Sequence, residues 1–406
     1  MKTSLKDKKI NNIAKKTLDK YNLCDSCLGR FFAKIDQDIS NMDRGEMLRT
    51  LLKEKKSDDC WLCNDLVAEI PHFADLISDS LKTFEFDSFL VGCKIDEDII
   101  SREQEILNFT KSEYNESIKS ELTREIGKIL EPRLNKEVEF ENPTIMAIVD
   151  TMFDVVSLQI KSLFIYGRYK KFNRNIPQTR WFCKFCRGKG CRKCSYTGKL
   201  YETSVEELIS EPFLKATKGD DEAFHGCGRE DIDALMLGNG RPFVLEIKNP
   251  QIRSLDLSEL EKKINSKYKD KVEVSNLRFS NREEIARIKK SEFQKTYKVV
   301  IRCKRAVNIE KLKKVALSLQ GTTIGQFTPS RVAHRRANTV REKKIYNCKV
   351  ESVEDTIATL KIEAESGTYI KELISGDDGK TKPNISEMLG VPCQVVELDV
   401  IEIKGE

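Results

Sequence analysis

The chain is 406 residues long, 39% hydrophobic and 33% charged, which is enough to bury two or three cores without disulfide staples. Its apolar stretches are too short and interrupted to span a bilayer, and the charged opening MKTSLKDKKINNIAKKTLDKY lacks the apolar core of a signal peptide, so no membrane role is implied and a cytoplasmic protein is expected. The 71 Lys and Arg nearly cancel the 65 Asp and Glu to leave +6, so attraction to a polyanion depends on how the cations are distributed.

To about residue 65, Ile10, Ile13, Ala14, Leu18 and Tyr21 recur at helical spacing and lead into Cys24 and Cys27, with Cys60 and Cys63 following. One CxxC lets a single turn offer two thiolates, and two such turns complete a tetrahedral zinc site at Zn–S distances of about 2.3 Å. The stretch from 28 to 59 exceeds a zinc-ribbon gap, so a helix or loop must return the second pair to the first. Two unrelated pairs of buried or redox-active thiols are the alternative. Paired cysteines in a chain with no export signal favour the metal.

Residues 66–180 read as a mixed α/β unit, with strands in FDSFLVGCKI, TIMAIVD and SLFIYG and an amphipathic helix in SIKSELTREIGKILEPRL. No acid lies between Asp154 and Glu202, whereas Lys161, Arg168, Lys170, Lys171, Arg174, Arg180 and further cations do, interleaved with Tyr166, Tyr169, Phe172, Trp181, Phe182 and Phe185. A cationic block with aromatic rings suits RNA, whose phosphates seek charge and whose unpaired bases stack. A plain solvated surface is the alternative. Arg168, Lys170, Lys171 and Arg174 are the candidate contacts.

Residues 181–200 hold CKFCRGKGCRKC, whose Cys183, Cys186, Cys191 and Cys194 form a compact second candidate zinc site, a dithiol surface being the alternative. Its start resembles the cysteine-rich repeat of DnaJ-type chaperones, but with one repeat no chaperone role follows. Cys93, Cys227, Cys303, Cys348 and Cys393 lie singly near apolar segments and read as buried small hydrophobes.

From 201 to 406, strand signals in PFVLEI, YKVVIRC, TIATLKIEA and QVVELDVIEI mix with a helix in NIEKLKKVALSLQG, which argues for an α+β domain on a mainly antiparallel sheet. In HGCGREDIDALMLGNGRPFVLEI, Gly238 to Gly240 predict a turn before a strand starting near Phe243. Alternation in the final strand puts Val396, Leu398 and Val400 on one face. The run RVAHRRANTVREKK, with Arg331, Arg335 and Arg336, reads as an RNA-backbone clamp against the alternative of a solvated loop.

Taken alone, an acid in the GRED loop would cap a turn or pair with Arg229. GREDIDAL, however, resembles the catalytic loop of pseudouridine synthases, in which an aspartate two residues after an arginine acts on the target nucleotide. The resemblance implies Asp231 as the reactive carboxylate, with Arg229 in support and Asp233 beside it. KTYKVVIRCK resembles the family's second motif, implying that Tyr297 packs on the base. SGTYIKEL resembles the third, implying that Lys371 pairs with the aspartate. Leu398 takes the place of the apolar residue lining the pocket.

Over nearly the whole chain, CDSCLGR, TGKLYETSVEELI, GREDIDALMLGNGRPF, TPSRVAHRRA and GTYIKELISGDDGKTKP resemble archaeal-type tRNA pseudouridine synthases acting on T-loop positions 54 and 55. ENPTIMAIVD with IYGRYKKFNRNIPQT is similar to a THUMP domain. The resemblance implies a multidomain α+β protein: a zinc-binding helical segment (1–65), a THUMP-like RNA-binding α/β domain (66–180), a Cys-rich knuckle (181–200) and a catalytic domain on a mixed sheet (201–406). It implies tRNA as partner, structural zinc, no organic cofactor and no obligatory protein partner. A non-catalytic zinc-containing tRNA-binding protein is the rival reading, which leaves the order of Asp, Tyr and Lys motifs unexplained. A THUMP-linked thiolase lacks the Gly-rich phosphate loop that ATP activation needs.

Overall fold

The computed structural model describes residues 4–57, 59–332 and 337–405, and the chain divides into two compact units, 1–161 and 162–406. In the first, α1 (Lys8–Lys20) buries Ile10 and Ala14 on the predicted stripe. The short α2 (Asp25–Arg30) and α3 (Asn41–Leu52) cross very closely. A Cβ on Gly29 would fall 1.8 Å from the Asn41 carbonyl oxygen, and one on Gly45 would fall 2.0 Å from that of Asp25. Only glycine permits this approach, and α3 is the returning helix that the spacing of the cysteine pairs requires.

Next come α4 (Ile70–Leu81), β1 (Ser88–Lys94), α5 (Glu97–Thr110), α6 (Ile118–Leu134), β2 (Glu137–Val138), β3 (Ile145–Asp150) and β4 (Val155–Ile160). The sheet order is β2-β1-β3-β4, with β1 parallel to β2 and β3, and β4 antiparallel to β3. Burial alternates along β1 and β3, so one face carries Phe89, Val91, Ile145, Ala147 and Val149 into a core completed by Phe73, Ile77, Leu122 and Ile126.

The second unit starts with β5 (Leu163–Lys171), and here the structure departs from the expected division. β5 lies between β7 (Leu235–Lys248) and β8 (Val272–Ser280), hydrogen-bonded to both. SLFIYG therefore belongs to the large sheet, not to the preceding α/β unit, and the boundary falls at 161/162 instead of 180. A strand buried on both faces reads as apolar wherever it sits, so its pattern could not say which sheet it joins. A fragment of residues 162–406 is expected to fold cooperatively, whereas 181–406 should aggregate, because losing β5 bares the edges of β7 and β8. Circular dichroism melts of the two fragments check this.

The remaining elements are α7 (Val205–Thr217), β6 (Asp221–Gly226), α8 (Leu257–Lys267), α9 (Arg282–Lys290), β9 (Lys295–Cys303), α10 (Ile309–Leu319), β10 (Thr323–Phe327), β11 (Val340–Glu354), β12 (Ile357–Ala364), α11 (Ile370–Ser375), β13 (Thr381–Lys382), α12 (Ile385–Leu389) and β14 (Cys393–Ile403). Among the described residues the sheet has ten strands in the order β13-β10-β11-β12-β9-β14-β7-β5-β8, with β6 on β7. Only β14–β7 is parallel, so the sheet is mixed and mainly antiparallel as expected.

Gly238 to Gly240 do not make the expected turn. β7 runs through them as a bulge: both glycines have positive φ (61° and 73°), and a Cβ on Gly238 would sit 1.8 Å from the Ile401 carbonyl oxygen. A bulge also interrupts β14, so Val396 is exposed while Leu398 and Val400 face inward. The five single cysteines are all buried, and Cys303 and Cys393 oppose each other across β9 and β14. Among the described residues no helix is long and apolar enough to cross a membrane.

Candidate active site

Asp231 lies in the loop from β6 to β7, and that loop is pinned by charges that the sheet buries. Glu230 accepts hydrogen bonds from the Tyr169 hydroxyl at 2.9 Å and from Arg241 Nε at 2.9 Å. Arg241, 1% exposed, also donates to the Cys227 carbonyl at 2.8 Å. Lys171 Nζ, fully buried, donates to the carbonyls of Ile176 at 2.9 Å and Ile232 at 3.0 Å, and reaches that of Asp231 at 3.4 Å. Burial pulls the Lys171 amine below its usual range against the attraction of Glu230. Buried charges persist only when paired and fully bonded, and this group uses its bonds to hold the loop backbone.

The side chain of Asp231 is left at the rim of a cavity of about 640 Å³, within the range of sites that enclose a nucleotide-sized ligand. Arg331 donates to both of its oxygens, at 3.3 and 3.2 Å, and turns its other face to Glu372, with Nε 2.7 Å from Oε1. Burial works against the Arg331 charge, but Glu372 and Asp231 outweigh it and hold its pKa above the usual value. Lys371, at the start of α11, lies 3.3 Å from Asp231 and 2.8 Å from Asp233. Burial would lift the Asp233 carboxyl, but the hydrogen bond from Lys371 prevails and holds it low.

Tyr297 on β9 and Leu398 and Val400 on β14 line the same cavity, with Val400 opposite Tyr297 across the ladder. Burial pushes the Tyr297 phenol up to about 12, so it meets a ligand as a neutral ring. Asp231, Tyr297, Lys371 and Leu398 are thus brought together, although they are spread from 231 to 398 in the chain. Arg229 also borders the cavity, but its guanidinium lies over the Trp181 ring at 5.8 Å, and among the described residues the cations bonded to Asp231 are Arg331 and Lys371.

The other expected RNA contacts are placed differently. Arg168 is buried and donates to the carbonyls of Asn239 at 2.7 Å and Gly240 at 2.9 Å, which holds the β7 bulge. Arg168 and Lys171 are therefore corrected from RNA contacts to internal supports. Lys170 pairs with Glu273 at 2.8 Å, and Arg174 grips Asp399 through two bonds of 2.6 and 3.0 Å. Arg331 bonds to Asp231 and Glu372. Arg335 and Arg336 lie outside the described residues.

Glu230, Arg241 and Glu372 were not singled out in the sequence. Glu372 follows Lys371 directly, and that adjacency was the one available signal. The Glu230–Arg241 pair closes only through the fold.

Both cysteine groups converge. The sulfurs of Cys24, Cys27, Cys60 and Cys63 lie within 4.8 Å of one another, as do those of Cys183, Cys186, Cys191 and Cys194. The Sγ–Sγ distances are 3.9 Å for Cys24–Cys63, 4.0 Å for Cys183–Cys191, 3.8 Å for Cys186–Cys194 and 3.7 Å for Cys191–Cys194. The edge of a tetrahedron with Zn–S bonds of about 2.3 Å is about 3.8 Å, so both sets fit one four-coordinate ion. Backbone N–H groups of Cys191 and Gly198 point at the Cys194 sulfur at 3.3 Å, as suits a thiolate.

A family model described as Pus10, C-terminal, matches residues 164–404, and one described as Pus10 THUMP domain, archaeal, matches 73–150. The THUMP match includes ENPTIMAIVD and stops short of IYGRYKKFNRNIPQT, which forms part of the larger unit. A protein named tRNA pseudouridine synthase Pus10 from Methanocaldococcus jannaschii is 42% identical, covering 95% of this chain and 93% of its own. Proteins of that name from Methanothermobacter marburgensis and Methanothrix thermoacetophila are 43% and 38% identical, each matching over 94% of this chain and 95% and 92% of theirs. With matches of this extent over both units, the chain belongs to the Pus10 family.

Proposed function

We propose that this chain is a tRNA pseudouridine synthase, with Asp231 as its catalytic carboxylate and T-loop uridines 54 and 55 as its targets. The observation that carries the reading is a carboxylate held by two cations at the mouth of a cavity lined by a buried tyrosine and leucine. The reaction breaks the N1–C1′ bond of uridine, turns the base and joins C5 to C1′, while the proton lost from C5 is balanced by one gained at N1. No electrons are exchanged and no external energy is needed, so positioned side chains suffice.

A stacked uridine must leave its neighbours to reach the carboxylate, and Tyr297 offers a ring to receive it over Leu398. Asp231 serves as nucleophile or base, aimed by Arg331, which Glu372 holds in turn. The two cysteine sets would each hold one zinc ion, which would cross-link its loop as a structural centre. Support for tRNA as substrate comes from the relatives' name and from the THUMP match.

The test is to incubate purified protein with unmodified tRNA transcript and map modified positions by a pseudouridine-specific chemical reaction. Pseudouridine at 54, 55 or both is expected. Tight binding with none formed would favour the non-catalytic zinc-containing tRNA-binding protein instead.

Arg331→Ala separates its two roles. As the support of Asp231 it should lower kcat by about 10²-fold with tRNA affinity within a few-fold, the cost of a misplaced reacting group. As a phosphate clamp it would raise Kd and spare kcat, so single-turnover kinetics with a binding isotherm decides.

A further inference from the structure

We propose that the knuckle of residues 181–200 is a binding surface for unpaired RNA next to the target uridine, with Phe185 and Tyr196 as its stacking rings. The proposal rests on the synthase reading above and adds the part of the molecule that grips the strand. The acid-free block carries it, because the structure splits that block into two groups of cations with different fates. Arg168 and Lys171 are buried, while Lys170, Arg174 and Arg180 are paired with Glu273, Asp399 and Glu222. Lys184, Arg187, Lys189, Arg192 and Lys193 are all exposed, and among the described residues none of them is ion-paired. The charge free to meet phosphate is thus concentrated in the knuckle.

The rings follow the same pattern. Phe185 is 70% and Tyr196 73% exposed, and Lys193 Nζ sits 3.5 Å from the centre of the Phe185 ring. Two rings exposed beside five cations suit a polyanion with flat bases better than a protein patch. The loop is braced at both ends. Its sulfurs are grouped for one ion, and its stem is closed by the Phe182–Lys199 bridge and the Cys183 N–H to Gly198 carbonyl bond of 2.7 Å. The stem also reaches the catalytic site: Trp181 lines a cavity of about 300 Å³ together with Asp231, Arg331 and Lys371. RNA leading to Asp231 would therefore pass the knuckle.

Phe185→Ala with Tyr196→Ala in the full chain is expected to raise KM for tRNA about tenfold, at the scale of lost base stacking, and to leave kcat at saturation within about twofold. Lys184→Gln, Lys189→Gln and Lys193→Gln together should flatten the slope of log affinity against log salt by about 2, since each phosphate on a single strand contributes about 0.7. The lysine set leaves rings and thiolates in place, so it decides the matter if the aromatic pair disturbs the loop. Unchanged KM and salt slope in variants with wild-type zinc content would overturn the proposal and leave a protein partner as the knuckle's ligand. Failure of the wild-type chain to form pseudouridine would overturn the synthase reading instead, and the salt slope would still report RNA contact.

Discussion

Asp231→Asn is expected to abolish pseudouridine formation, a loss of at least about 10³-fold in kcat, while tRNA affinity stays within a few-fold. The substitution keeps the size of the side chain and one acceptor oxygen toward Arg331 and Lys371 but removes the charge that attack or proton transfer needs. Affinity should hold because binding energy is spread over many phosphate contacts, and this residue supplies none. The neighbouring carboxylate is the control. Asp233 is 67% exposed and bonded to Lys371, so Asp233→Asn should stay within about tenfold of wild type. Single-turnover assays with a tritium-release or chemical-mapping readout, run beside a filter-binding isotherm, distinguish the outcomes. Substantial turnover in Asp231→Asn would remove the carboxylate from the mechanism.

The second large effect concerns the first cysteine tetrad. Cys24→Ser with Cys27→Ser is expected to remove one equivalent of zinc and to collapse the folded yield, because these sulfurs sit inside the core of the first unit. Cys27, Cys60 and Cys63 are each at most 3% exposed and packed with Leu23, Leu28 and Leu62. Without the ion, the α2–α3 hairpin and the turn that carries Cys60 and Cys63 lose their cross-link. Structural zinc in small domains contributes about 10–16 kcal/mol, more than the whole stability of an average domain. The knuckle should behave differently. Cys186, Cys191 and Cys194 are partly exposed on a stem outside the large core, so Cys191→Ser with Cys194→Ser should lose the second zinc while the sheet still folds. Elemental analysis with thermal melts of both variants checks the pair. A fully folded, metal-free wild-type chain would refute the zinc assignment.

Much of the architecture was legible along the chain because it follows from local periodicity. The stripe on α1, the strand signals at β1, β3 and β9, and the helix α6 are properties of short windows, and each formed where its segment predicted. The CxxC spacings were equally local, since two residues between thiols already allow one ion to bind both. Asp231, Tyr297, Lys371 and Leu398 were legible through a motif order that resembles the family's; Asp231, Tyr297 and Leu398 line one cavity, and Lys371 lies 3.3 Å from Asp231.

What remained hidden depends on through-space partners. SLFIYG is equally apolar in either sheet, and only its ladders with β7 and β8 assign it to the larger unit. Arg331 lies 100 residues from Asp231 in the chain, so nothing local marks it as that residue's support. The cations of the acid-free block look alike as letters, yet Lys171 is enclosed among carbonyls while Lys193 stands in water over a ring. Sequence determines that a side chain carries a charge. The tertiary structure decides what that charge meets, and because Coulomb and desolvation energies depend on distance and burial rather than on sequence separation, it decides what the charge does.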